Sequence, residues 1–164
     1  MRNISFALTT LQTFAQVKTV TRRFGWWNLQ PGTKLQGVVK GMGLKKGEQA
    51  KKIHVIEPWK VRAEPLNSIT EFPDYGEQEM IKEGFPNMKP VEFVEMICDT
   101  HKGKTPESTI NRIEFTYDQY LSPVPPCHCG GLIWMIDKQD VIRCWRCQVP
   151  FKAVYPQYAV FARQ

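Results

Sequence analysis

Alternation of apolar and polar side chains appears first near the N-terminus. Ile4 to Leu8 alternates, with Ile4 and Phe6 on one side, which predicts a short strand. Thr9 or Thr10 can cap a helix over about Leu11 to Val17, because Leu11, Phe14 and Ala15 fall at i, i+3 and i+4 and share one face. Lys18 to Arg23 alternates again, with Val20 opposite Thr19 and Thr21. Gln30-Pro31-Gly32-Thr33 is a turn signal. Leu35 to Val39 and Lys52 to Val61 then read as strands, separated by a glycine- and lysine-rich loop from Gly41 to Lys51.

The pattern changes after residue 64. Pro65 to Pro73 reads as irregular, and Tyr75 to Lys82 as a short acidic helix closed by Gly84. Pro90 to Asp99 is a second helix: Pro90 suits a first turn, and Val91, Val94 and Ile97 recur at helical spacing. Ile110 to Tyr117 returns to alternation, with Ile113 and Phe115 on one side and Arg112 and Glu114 on the other. Ser122-Pro123-Val124-Pro125-Pro126 predicts an extended linker, so a boundary is expected between residues 1–120 and 121–164. Beyond it, Leu132 to Ile136 and Val141 to Cys144 predict a hairpin turning at Asp137 to Asp140.

Length and composition narrow the class. The chain has 164 residues, 42% of them hydrophobic, enough for one core or a core with a small satellite. No apolar run approaches the ~20 residues of a membrane span, and Met1 to Thr10 lacks the apolar stretch of a secretory signal. A cytoplasmic protein with reduced cysteines and no membrane partner is the expectation. Charge is divided unevenly along the chain. Residues 1–62 hold 12 basic and 2 acidic side chains, a balance of +10. Residues 63–120 hold 5 and 12, a balance of −7, and residues 121–164 hold 5 and 2, a balance of +3. A basic front half suggests a polyanion-facing surface; the alternative is a solvated surface with uneven charge.

Cysteine spacing carries the strongest chemical signal. Cys127 and Cys129 precede Gly130-Gly131, and fourteen residues separate Cys129 from the second pair, Cys144 and Cys147. Zinc takes four thiolates at about 2.3 Å in a tetrahedron, and two short pairs brought together by a hairpin supply them. The arrangement resembles a zinc ribbon with a tight first knuckle, and His128 is an alternative ligand beside Cys127 and Cys129. Four protein ligands close the coordination sphere, so the expected Zn2+ is structural. Cys98 stands apart and reads as a core thiol. Trp145, with Lys138, Arg143 and Arg146, gives the hairpin either a nucleic-acid surface or a packing contact to the rest of the chain.

Lys18, Arg22 and Arg23, followed by Trp26 and Trp27, form a second candidate site, with the tryptophans expected one inward and one outward. They read as phosphate contacts interleaved with stacking aromatics, and Arg146 joins them in that role. Glu57, Arg62 and Glu64 read as surface strand charges. Lys18 and Thr21 also form a Lys-x-x-Thr pair. Lying three apart, they face opposite sides of an ideal strand and converge only if a turn or bulge intervenes. Lysine can take a threonine hydroxyl's proton if burial lowers its pKa, and a carboxylate can orient it.

Lys18-Thr19-Val20-Thr21-Arg22-Arg23, the Gln30-Pro31-Gly32 turn, Glu83-Gly84-Phe85 and Arg112-Ile113-Glu114-Phe115 occur in an order that resembles the ASCH domain, a relative of the PUA RNA-binding fold. The resemblance spans roughly the first 118 residues. With its zinc ribbon, the chain is also similar to proteins of tailed phages. The resemblance implies an α+β fold: a small PUA-like β-barrel with flanking helices, followed by a zinc-ribbon β-hairpin. It implies a cleft for RNA or a modified nucleobase, with DNA as the alternative polymer. One bacterial branch of the family hydrolyses the amide of N4-acetylcytidine, which would make Lys18, Thr21 and Glu83 catalytic. A third expectation is an adaptor that docks on a protein partner through the ribbon.

Overall fold

The structure, a computed structural model, describes residues 1–121 and 124–157. Ser122 and Pro123 of the expected linker, and residues 158–164 of the expected tail, lie outside the described residues. The fold is mixed α+β, built on a curled five-stranded half-barrel sheet in the order β1-β3-β4-β5-β2. Its strands are β1 (Arg2–Ser5), β2 (Val20–Arg23), β3 (Leu35–Val38), β4 (Lys52–Pro65) and β5 (Thr109–Tyr117). β1 and β3 are parallel and the other pairs antiparallel. Register shifts between Gln36 and Val38 and between Pro58 and Lys60 bend β3 and β4, as bulges do. β4 runs four residues past the predicted Val61, since Arg62 to Pro65 pair with Arg112 to Thr109.

Ala7–Thr9 form a 3-10 turn where the alternation had extended the first strand, and α1 (Thr10–Phe14) follows. This helix is shorter than predicted because Gln16 takes a left-handed φ of 59°. α2 (Ser68–Glu71) occupies the stretch expected to be irregular. α3 (Pro73–Glu83) and α4 (Pro90–Thr100) match the two predicted helices. No helix among the described residues is long and apolar enough to cross a membrane.

Three apolar clusters hold the elements together. Ile4, Phe6, Leu29, Leu35, Ile56, Ile113 and Phe115 fill the inside of the curl. Leu66, Ile69, Met80, Phe93, Val94 and Ile110 join α2, α3 and α4 to the sheet. The third cluster packs Leu11 of α1 and its capping residue Ala15 against Cys127, Trp134, Ile142, Cys144 and Phe151. The last of these residues belong to an antiparallel pair, β6 (Trp134–Ile136) and β7 (Ile142–Cys144), and to α5 (Phe151–Val154). Phe14 meets Phe151 edge-on with ring centroids 5.5 Å apart, so α1 is the seat on which the C-terminal segment rests.

Candidate functional site

Lys18 lies outside β2, in the turn that leaves α1. Its amide and that of Val17 both donate to the Gln12 carbonyl. Strand alternation therefore does not govern its side chain, because the turn that ends at Lys18 precedes β2. Tyr117 Oη donates to the Lys18 carbonyl at 2.6 Å and fixes the backbone. Across from it, α3 ends at Glu83 because Gly84 adopts φ 88°, the left-handed cap that favours glycine. A Cβ on Gly84 would come within 3.0 Å of Gln12. Thr19 N donates to the Lys82 carbonyl at 2.9 Å, which stitches the end of α3 to the start of β2.

These contacts bring Lys18 and Glu83 together. Lys18 Nζ donates to Glu83 Oε2 and to the Glu83 carbonyl, each at 2.6 Å, and both side chains are buried. Lys18, Thr21 and Glu83 line one cavity of about 220 Å³. Arg22 and Arg23 contribute to the same wall, and Phe6, Phe24, Phe85, Phe93, Met96 and Ile97 supply apolar surface. Burial is the main influence on Lys18 and holds it below the ordinary lysine range, although Glu83 favours its charged form. An amine so placed is closer to serving as a base than an exposed lysine is.

Behind the cavity wall lies a network that the sequence reading did not anticipate. Arg22 Nη1 donates to Glu83 Oε1 at 3.2 Å, while its Nη2 reaches Glu64 Oε1 at 2.7 Å and Glu79 Oε2 at 2.8 Å. Arg112 binds both oxygens of Glu79, at 2.6 and 2.8 Å, and reaches Glu114 Oε2 at 2.8 Å. Tyr75 donates to Glu64 Oε2 at 2.9 Å. Burial alone would raise the Glu79 carboxyl, but its bonds to Arg112 and Arg22 outweigh this and hold it at about 2. Glu64, expected at the surface, is instead buried against Arg22; of its two expected companions, Arg62 is exposed and Glu57 half-buried. The buried face of α3 carries Gly76, Glu79, Met80 and Glu83 at helical spacing. That periodicity was available in the sequence, but it is written in glutamates rather than apolar residues.

Of the residues expected to contact nucleic acid, Lys18 and Arg22 point into this network, and Arg23 lies half-buried at the cavity. Trp26 packs on the core inside the sheet and under the Arg2 guanidinium, which sits 4.2 Å from its ring. Trp27, Trp145 and Arg146 are exposed. Trp59, carried by the β4 bulge, is exposed as well.

The four cysteines converge as their spacing predicts. Their Sγ atoms all lie within 4.8 Å of one another, close enough to bind a metal ion. Cys127 and Cys147 are 3.5 Å apart, and Cys129 and Cys144 are 3.7 Å apart. The edge of a zinc–thiolate tetrahedron is about 3.8 Å, whereas a disulfide brings sulfurs to about 2.05 Å. His128 Nδ1 lies 3.7 Å from Cys127 Sγ, but the histidine is exposed and outside the cluster. Gly131 leaves the room the sulfurs need, since a Cβ there would sit 2.8 Å from Cys144 Sγ. Backbone N–H groups of Cys147 and Arg146 pull the Cys144 thiol down to about 7, while burial pushes Cys127 up to about 12. Cys98 is half-buried among the helices and takes no part.

No protein-family model matches the chain, and no curated protein matches it in sequence. Among solved structures it is similar to protein EF3133 from Enterococcus faecalis V583, described as family-model DUF984. The identity is 16% and the TM-score 0.36, over 66% of this chain and 68% of that one. The likeness is too slight to bear on function.

Proposed function

We propose that this protein is an ASCH-type, PUA-like amidohydrolase that removes the acyl group from an N4-acylated cytidine, with Lys18, Thr21 and Glu83 as its catalytic residues. The observation that carries this reading is the meeting of Lys18 and Glu83 at 2.6 Å beside Thr21 in one cavity. A volume of about 220 Å³ is small beside the sites of drug-sized ligands and suits a nucleobase with a short substituent.

In this reading, neutral Lys18 takes the Thr21 hydroxyl proton as Oγ1 bonds to the acyl carbon. The carbonyl electron pair moves to oxygen and then returns, breaking the C–N bond. The departing exocyclic nitrogen receives the proton from Lys18. Water next attacks the threonyl ester, with Lys18 again as base, and its proton restores Oγ1. The products are the free cytidine and a carboxylic acid. Glu83 orients the lysine and stabilises its ammonium.

The cysteine site is structural here. Zn2+ would be held by Cys127, Cys129, Cys144 and Cys147 in a ribbon-like hairpin, and it would supply folding energy rather than a reacting water. A second reading, RNA binding, is favoured by the exposure of Trp27, Trp59 and Trp145, of which Trp59 precedes Lys60 and Trp145 precedes Arg146.

Incubation with N4-acetylcytidine tests the proposal. Acetate release is expected from the wild type, with a loss of about 10²–10⁴-fold in Lys18→Ala, the usual contribution of a general base. Absence of turnover, or turnover that survives the substitution, rejects this mechanism. Salt-dependent binding of short RNA without turnover would favour the second reading.

A further inference from the structure

The enclosed cations around the cavity have carboxylate partners with one exception. Lys18 pairs with Glu83, Arg22 with Glu64, Glu79 and Glu83, and Arg112 with Glu79 and Glu114. Three buried cations thus face three buried carboxylates, Glu64, Glu79 and Glu83. Arg23 has no carboxylate within ion-pair distance among the described residues. Its Nε donates to Thr21 Oγ1 at 3.1 Å, and its Nη2 donates to the Ser5 carbonyl. Both acceptors are neutral, and Nη1 makes no hydrogen bond to any described residue. The guanidinium lies over the Phe6 ring, 5.6 Å from its centroid, and lines the cavity.

That placement has a structural cause. Ser5 ends β1 and Arg23 ends β2, and these strands are the two edges of the sheet. Arg23 therefore bridges the gap where the half-barrel curls toward itself, at the cavity. The ion pairs behind the cavity form without it, so among the described residues its charge has no carboxylate in direct contact. Guanidinium groups bind oxyacids through paired N–H donors, and partial enclosure strengthens such contacts.

We infer that Arg23 forms an anion subsite of this cavity and that the ligand carries an oxyacid group, phosphate or carboxylate. This rests on the reading of the cavity as the nucleoside site. The anion would sit one guanidinium away from the Thr21 hydroxyl, so it would also help set the distance of the ligand from that oxygen.

Calorimetric titration with cytidine, cytidine 5′-monophosphate, inorganic phosphate and succinate, at constant ionic strength, tests it. These probes are not hydrolysed, so binding is read apart from turnover. Cytidine 5′-monophosphate is expected to bind about tenfold to a hundredfold tighter than cytidine if the group is a phosphate, the range for hydrogen bonds to charged groups. Measurable binding of succinate, with the two nucleosides equal, would identify a carboxylate instead. In either case Arg23→Gln removes the preference and Arg23→Lys keeps part of it, with folding of each variant checked by its thermal midpoint. Equal binding of cytidine and its monophosphate, with neither phosphate nor succinate bound, overturns the inference. A preference that persists in folded Arg23→Gln also overturns it. An Arg23-dependent preference in a protein that never releases acetate from N4-acetylcytidine would reject the hydrolytic reading and leave the anion subsite standing.

Discussion

Two clusters of ionisable side chains among the described residues are wholly or partly buried, and they approach neutrality by different routes. Behind the cavity, Lys18, Arg22 and Arg112 face Glu64, Glu79 and Glu83, so each charge finds its partner within the chain. In the C-terminal segment, Cys127, Cys129, Cys144 and Cys147 face only one another. Four thiolates need a cation from outside, and the matching sulfur geometry is the reason to expect one. The first cluster is complete at folding, whereas the second would couple folding to metal supply. α1 touches both: Leu11 and Ala15 pack on the cysteine segment, and Gln12 donates to the Gly84 carbonyl beside Lys18.

The largest expected effect separates the two clusters. Chelation of the metal, or Cys144→Ser, is expected to unfold the hairpin of β6 and β7, while the half-barrel keeps its strands. Metal analysis and amide exchange resolved by residue would check this; a hairpin as protected without metal as with it would contradict a structural role. Next in size is Arg22→Met. It strips the shared partner from three buried carboxylates and is expected to cost about 3–5 kcal/mol in urea unfolding, as breaking buried pairs does.

A smaller effect should appear in acid. The Glu79 carboxyl is held at about 2, below its ordinary 4.5, so its contribution is fully present above pH 4.5 and is lost as pH falls toward 2. With allowance for solvent screening, that contribution is about 2 kcal/mol. Glu79→Gln should flatten the fall in unfolding free energy over that window. The proposed catalytic cluster should also show a pH signature. Neutral Lys18 is the proposed base, so kcat/KM should rise with pH and level off below the ordinary lysine value of 10.5. A profile still rising past that value would mean that Lys18 is not the titrating group.

The contrast also explains what could be read from the sequence. The cysteine cluster was legible because its ligands are local: two short pairs, a glycine pair and a hairpin pattern fix the geometry within about twenty residues. Lys18, Thr21 and Glu83 could be nominated only through a family resemblance, since Lys18 and Glu83 are 65 positions apart. Glu64, Glu79 and Arg112 were not nominated at all. Glu64 looks like an outward strand charge, and Glu79 sits on a helix whose buried face is partly acidic. Pairwise burial of charges leaves no apolar periodicity to find. The division of +10 against −7 along the chain was visible, but part of it is consumed internally, since Arg22 from the front half meets glutamates of the middle. The strands of the half-barrel were legible because Ile113 and Phe115 alternate with Arg112 and Glu114.

The most direct test compares N4-acetylcytidine hydrolysis by the wild type and by Thr21→Val, both at full metal content and with cytidine binding measured alongside. Wild-type turnover is expected to fall by at least about 10²-fold in the variant, while cytidine affinity and thermal midpoint stay close to wild type. An inert wild type, or a Thr21→Val protein as active as the wild type, would contradict the assignment of amide chemistry to this cavity.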